Sequence, residues 1–182
     1  MFKKLDIIDE KDKRLRKISE DATFPLSKED KKLIQRCIDE LTYSQIEEYE
    51  KKYNLRPGMG LAFPQLGINK RIIVIVHEVE PATFDNYVFI NPKIVSYSEE
   101  IIAADAGEGC LSVNREVEGH VPRYARVTVE GYDEDGNKIK VRAREELSIA
   151  FQHEIDHLNG ILFYDRIDQK QPFYSDDEIR LI

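Results

Sequence analysis

Residues 153–157, with the sequence His-Glu-Ile-Asp-His, limit how this chain can fold more than any other segment. On a helix, residues four positions apart share a face, so His153 and His157 can both reach one metal ion. Glu154 then lies beside the same ion and can hold a proton. This pattern is typical of metal-assisted hydrolysis, in which a divalent ion acidifies a bound water and a carboxylate takes the proton. We therefore predict a helix over 145–158.

The length and composition of the chain predict one globular domain, residues 1–182. No apolar run approaches the length of a bilayer-spanning helix, and the first residues lack the features of a signal peptide. We therefore expect a cytoplasmic protein with no membrane partner. The net charge of −8 disfavours nucleic acid as the direct substrate, because neutralising phosphates requires a basic surface.

The remaining elements form a mixture of helix and strand patterns. Residues 26–53 predict a helix, since Ser27 is a good N-cap and an apolar stripe follows it. The highly charged residues 47–52 are either the solvated end of this helix or a loop. Cys37 lies on that stripe, so we expect it to pack in the core. Strand patterns occur at residues 71–77, 87–90, 93–97, 126–130, 138–141 and 161–164. Asn91-Pro92 should end the second of these strands, and the acidic turn between the fourth and fifth predicts a hairpin.

Cys110 is the candidate for a third metal ligand. Gly107 and Gly109 precede it and allow the tight backbone geometry that a close-approaching ligand needs. A catalytic metal needs three protein ligands and one open position, and one Cys with two His satisfies that number. The alternative is that Cys110 is a small buried hydrophobe, and spacing alone leaves both interpretations open.

A glycine-rich segment, residues 58–65, ends in Gln65. Taken alone, its glycines indicate only a tight turn, and Gln65 could be any polar loop residue. Beside a metal site, however, the amide N–H of Gln65 could donate to an oxyanion without adding charge.

Taken together, these three motifs resemble those of the peptide deformylase family. That family carries Gly-x-Gly-x-Ala-x-x-Gln, Glu-Gly-Cys-Leu-Ser and His-Glu-x-Asp-His in this order, which here stand at residues 58–65, 108–112 and 153–157. The likeness extends over most of the chain from about residue 55 onward. The long N-terminal half and the spacing from Cys110 to Arg123 are similar to the Gram-positive-type subclass.

The resemblance and the pattern of elements together imply an α+β fold. In it, mixed and antiparallel β-sheets pack around a central helix carrying the His-Glu-x-x-His motif, and an N-terminal helix precedes them. The implied substrate is the N-formyl-methionyl end of newly made polypeptides, with formate as a product. The implied cofactor is one divalent ion, with Fe2+ as the native metal and Zn2+, Ni2+ or Co2+ able to replace it. Transient association with the ribosome follows from such a substrate.

The resemblance also assigns roles to individual residues. The implied metal ligands are Cys110, His153 and His157. The implied catalytic groups are Glu154 as proton carrier, with the Gln65 amide and the Leu111 backbone N–H holding the oxyanion. The implied substrate contacts are the Gly60 backbone and a methionine pocket with Met59 and Ile149. Glu108 and Arg123 are expected to support the cysteine loop through an ion pair, and Phe151 and Leu158 should raise the pKa of Glu154.

Two departures from the family pattern and two alternative functions remain. Phe63 stands where the family usually has a second alanine, and Met59 replaces a β-branched residue, although neither change removes a catalytic atom. The first alternative is a zinc metallopeptidase, which shares the His-Glu-x-x-His motif but usually recruits a downstream Glu or His. The second is a non-catalytic metal-binding protein.

Overall fold

The computed structural model describes residues 2–182 and has an α+β fold, as predicted. The helices are α1 (Lys28–Ser44), α2 (Glu47–Tyr53) and α3 (Glu145–Leu158). The strands are β1 (Gly60–Ala62), β2 (Ile72–Glu80), β3 (Thr83–Tyr97), β4 (Ile101–Ala103), β5 (Arg123–Tyr124), β6 (Arg126–Tyr132), β7 (Lys138–Arg144) and β8 (Arg180–Leu181). Among the helices of residues 2–182, none combines the length and the apolar character needed to cross a membrane.

The strands form two sheets. One is an antiparallel sheet of five strands in the order β1-β2-β3-β6-β7, and it includes the predicted hairpin as β6 and β7. The other has three strands in the order β5-β4-β8, with β4 and β8 running parallel. The helix with the His-Glu-x-x-His motif is α3, which has the predicted bounds and packs against the five-stranded sheet.

Strand β2 is buried on both faces, which explains its continuous apolar sequence. Successive side chains of a strand point to opposite faces, so Ile72, Val74 and Val76 enter one core and Ile73 and Ile75 enter another. Helix α1 contributes to the first core and α3 to the second. The sheet therefore separates two cores, and the predicted motif helix lies on the side opposite α1.

The helix predicted over 26–53 is interrupted, and its charged end is neither a continuation nor a loop but the separate helix α2. Helix α1 begins as expected, with Asp30 N–H donating to the Ser27 hydroxyl at 3.0 Å. It ends at Ser44, whose hydroxyl donates to the Leu41 carbonyl, and the Gln45 amide donates to the same carbonyl. In an uninterrupted helix the Leu41 carbonyl would accept from a backbone N–H one turn later, and the two side chains compete with that bond.

Two strand predictions are also wrong. The segments 87–90 and 93–97 belong to one strand, β3, because Asn91 adopts a left-handed φ of 53° at a register shift instead of ending the strand. Its side chain is fixed by two hydrogen bonds to the Ala22 backbone, and proline is tolerated at such a bulge. Residues 161–164 are not a strand, since a 3-10 turn begins at Phe163 and the Asp165 carboxylate accepts from Leu162 N–H.

Phe151 provides a test of how α3 packs. Its side chain is fully buried and makes an edge contact with Phe89, with ring centroids 5.2 Å apart. We expect Phe151→Ala to lower the free energy of unfolding by about 3–5 kcal/mol, because it removes transfer free energy and leaves a cavity. Urea denaturation followed by circular dichroism measures this loss. The exposed control Val79→Ala should change stability by less than about 0.5 kcal/mol, and an equal effect of both variants would contradict this packing.

Candidate metal centre

Cys110, His153 and His157 come together although they lie in two separate parts of the chain. Each offers one ligand atom, and these atoms all lie within 4.8 Å of one another. The Cys110 sulfur is 3.3 Å from Nε2 of His157. One thiolate and two imidazoles are a donor set that divalent metals accept, and a fourth position stays open for water. These three residues therefore fit a catalytic metal ion.

Glu108 orients one of these imidazoles. Its Oε2 lies 2.7 Å from Nδ1 of His153, so Nδ1 carries the hydrogen and Nε2 is left to act as a ligand. The expected pairing of Glu108 with Arg123 is also present, with two bonds of 2.8 and 3.0 Å. Burial by itself would raise the pKa of Glu108, but the hydrogen bonds from His153 and Arg123 lower it to about 2. This carboxyl is therefore a stable anion beside the site.

Asp156 extends this arrangement into a buried ion network. It accepts from Arg123 at 2.6 Å and from Nη2 of Arg166 at 2.6 Å, so Arg123 lies between two carboxylates. The side chain of Arg123 is 1% exposed. Buried charges are tolerated only when each is paired and hydrogen-bonded, and the side chains here satisfy that condition. Asp156 is itself buried, and its two arginine partners anchor α3.

Glu154 lies beside the ligand group with an unused carboxylate oxygen. Its Oε2 is buried and has no hydrogen-bond partner among the described residues. Burial raises the pKa of Glu154 to about 7, although the nearby His153 opposes this shift. The expected apolar neighbours Phe151 and Leu158 are both fully buried. A Cβ atom on Gly60 would collide with the Glu154 side chain, so any larger residue there requires that side chain to shift.

Gln65 places its amide next to the candidate ligand Cys110. Its side-chain oxygen accepts from Ala62 N–H at 2.9 Å, which fixes the orientation of the amide. The amide nitrogen then faces Ser112 Oγ at 3.2 Å and the Cys110 sulfur at 3.5 Å. Phe63 does not enter this region, because its side chain is fully buried in the core on the α1 side of the sheet.

One cavity of about 590 Å³ joins most of these groups. Of the predicted metal ligands, catalytic groups, substrate contacts and the Glu108–Arg123 pair, all residues but His157 and Arg123 line it. Met59 and Ile149 are half-buried in its wall, and Leu111 and Gly60 line it as well. The predicted catalytic and substrate-binding residues therefore share one opening.

Arg56 is a residue of the site that the sequence did not reveal. Its guanidinium donates to the carbonyls of Cys110 and Val113, both at 3.1 Å, and to Asn114 Oδ1 at 2.7 Å. It therefore holds the loop that carries the candidate thiolate ligand. These partners are 54 or more residues away in the chain, so no local pattern signals the contact.

A candidate metal site with a buried carboxylate on a substrate-sized cavity defines the class of metal-dependent hydrolases. The family model described as polypeptide deformylase matches residues 4–173. "Peptide deformylase 2" of Geobacillus stearothermophilus is 48% identical over 172 residues, covering 94% of both chains. "Peptide deformylase" of Listeria welshimeri is 46% identical, covering 96% of this chain and 95% of that protein.

Solved structures agree with these relatives. A plant peptide deformylase crystal structure superposes with a TM-score of 0.75 at 30% identity, covering 91% of this chain and 82% of that one. Peptide deformylase from Thermotoga maritima gives a TM-score of 0.71 at 32% identity, covering 90% and 97%. The chain belongs to the polypeptide deformylase family. It is a hydrolase that removes the formyl group from the N-terminal methionine of polypeptides, and neither alternative function is favoured.

Thiol labelling tests the exposure of the two cysteines. Cys110 lines the cavity, whereas Cys37 is fully buried and burial raises the pKa of its thiol to about 12. We expect Ellman's reagent at pH 8 to modify one thiol in the folded, metal-free protein. The reagent reacts only with a thiolate that it can reach. Unfolding in guanidinium should release the second thiol.

Variants and metal addition sharpen this labelling test. Cys110→Ser should abolish the fast reaction, and Cys37→Ala should leave it unchanged. A bound divalent ion should protect Cys110 if it is a ligand. Modification of Cys37 in the folded protein would contradict its burial.

Glu108→Gln tests the orienting contact to His153. We expect affinity for a divalent ion to fall about 10- to 100-fold, because the variant loses a charged partner that fixes the ligand imidazole. Competition with a chromogenic chelator measures the affinity. Glu116→Gln is the matched control, since Glu116 is exposed and near the same loop. Equal affinity in both variants would show that Glu108 does not support the metal.

Proposed function

We propose that this deformylase acts through one divalent ion held by Cys110, His153 and His157. The observation that carries the proposal is the group of three ligand atoms beside the unpartnered carboxylate of Glu154 on one cavity. When bound, such an ion supplies Lewis-acid chemistry, lowering the pKa of water and polarising the formyl carbonyl. The other steps belong to the protein's own side chains.

Glu154 is the proposed proton carrier. It takes a proton from the attacking water and later gives it to the nitrogen of the departing amine, so that formate and a free amino terminus are produced. Burial raises the pKa of this carboxyl above its ordinary value, which favours the protonated form that the second transfer needs. Its burial also keeps bulk water from competing with the reacting groups.

Gln65 and Leu111 are the proposed donors to the developing oxyanion. The amide of Gln65 is held with its nitrogen toward Cys110, so it donates without adding a charge. The backbone N–H of Leu111, the residue after Cys110, is the second donor. Each such donor contributes most when it is fixed before the reaction, and the Ala62 contact provides that for Gln65.

The rest of the cavity wall is proposed to bind the substrate. Met59 and Ile149 offer apolar surface for the methionine side chain, and Ile149 lies one helical turn before His153. The Gly60 backbone aligns the peptide. A methionine side chain suits a wall of this kind because it is apolar and flexible.

We further propose ferrous iron as the native ion. The mixed thiolate and imidazole set accepts iron, zinc, nickel and cobalt, so the metal has to be identified by experiment. Transient contact with ribosomes in the cytoplasm is proposed from the nature of the substrate alone.

The choice of metal is tested by loading metal-free protein anaerobically with each ion and comparing formate release. Equal activity with zinc would overturn the assignment to iron.

Glu154→Gln tests the proton carrier. We expect formate release from formyl-Met-Ala-Ser, under anaerobic conditions with ferrous iron, to fall about 10²- to 10⁴-fold, because the amide cannot accept the proton. Metal content, measured by atomic absorption, should stay the same. Glu99→Gln, at an exposed position, should keep full activity. Undiminished activity in Glu154→Gln would refute this role.

A further inference from the structure

Ile182 lies in the wall of the same cavity as Glu154 and His153. It directly follows β8, and 39% of its surface is exposed despite its large apolar side chain. An apolar side chain exposed in a reactive cavity is positioned to contact a ligand. The sequence gives no sign of this, because Ile182 is 25 or more residues from the catalytic motif.

The backbone around Ile182 is held firmly. Its N–H donates to the Ala103 carbonyl at 3.0 Å, and its carbonyl accepts from Asp105 N–H at 2.9 Å. Arg180 adds two bonds of 2.7 Å to Glu145, the first residue of α3. These contacts bind β8 to both β4 and α3, so Ile182 is part of a rigid wall.

Arg180 is two residues before Ile182, on the same face of the strand, and its partner Glu145 begins α3. Glu145 precedes His153 by roughly two turns of α3, about 12 Å along the axis. Ile149 lies between them on the same helix and lines the same cavity. The apolar wall therefore continues from Ile149 near the ligands toward Ile182 near the start of α3. Two carboxylates also line this end of the cavity: Arg180 neutralises Glu145, and the side chain of Glu146 is 74% exposed and stays hydrated.

We propose that Ile182 is a specificity-determining residue, forming the far apolar wall of the pocket that receives the side chain of the formylated residue. If the formyl carbon lies beside the metal ligands, the side chain of the formylated residue extends along Ile149 toward Ile182. The inference rests on the proposed function, since it takes the position of the formyl group from the candidate metal site. It predicts that the preference for methionine over a smaller side chain depends on the side chain of residue 182.

The test compares kcat/KM for formyl-Met-Ala-Ser with kcat/KM for formyl-Ala-Ala-Ser. We expect Ile182→Ala to lower the Met-to-Ala ratio about tenfold, mainly through KM for the methionine substrate, because apolar contact is lost. Ile182→Phe should also lower the ratio by shortening the pocket. Leu181→Ala is the matched control, since neighbouring residues of a strand face opposite sides and Leu181 does not line the cavity.

Each outcome decides the proposal. A ratio unchanged in both Ile182 variants overturns it, as does an equal fall in Leu181→Ala. The variants are also compared on formyl-Met-Leu-Ser and formyl-Met-Ala-Ser. If the Ile182 substitutions change the ratio of kcat/KM for this pair instead, Ile182 contacts the second residue of the substrate and the proposal is overturned. If the unaltered protein released no formate with any of the metals, the proposed function itself would be refuted. That result differs from a failure of the Ile182 proposal, in which the unaltered protein is active.

Discussion

The buried ion network centred on Arg123 is the interaction on which the site depends. Arg123 lies between Glu108 and Asp156, and Glu108 in turn holds His153. These residues come from the cysteine loop, β5 and α3, so one guanidinium connects three separate segments of the chain. Because each charge is buried, replacing any one of these side chains by a neutral one leaves an unpaired charge in an apolar surrounding, which is strongly destabilising. The geometry of the ligands is therefore tied to the stability of the fold.

The two cores on either side of the five-stranded sheet explain why this network has a rigid base. Helix α3 packs its apolar face on one side of the sheet and directs His153, Glu154 and His157 toward the cysteine loop. Strand β2 contributes to both cores through alternate side chains, so α1 packs on the opposite face of the same sheet. Catalytic side chains on such regular elements are placed more precisely than side chains on loops alone.

Local sequence patterns predicted the parts of this molecule that local forces determine. Helix α3 and the β6–β7 hairpin follow from spacing and turn chemistry, and motif resemblance pointed to Cys110 and Gln65. Two of the errors arose where a distant contact overrides the local pattern, whereas residues 161–164 form a 3-10 turn through the local hydrogen bond from Leu162 N–H to Asp165. Asn91 continues β3 because it binds Ala22, and Gln45 helps to end α1 by bonding across the chain to the Val76 carbonyl. Arg56 was missed for the same reason, since its partners follow it by more than fifty residues.

The close contact between Gly60 and Glu154 has a consequence for mutational tolerance. The carboxylate occupies the space that any side chain at residue 60 would need, so even a single methyl group displaces it. Even alanine at this position therefore requires the buried Glu154 side chain to move. A substitution at the start of β1 therefore acts on the proposed proton carrier, which α3 contributes more than ninety residues later in the chain.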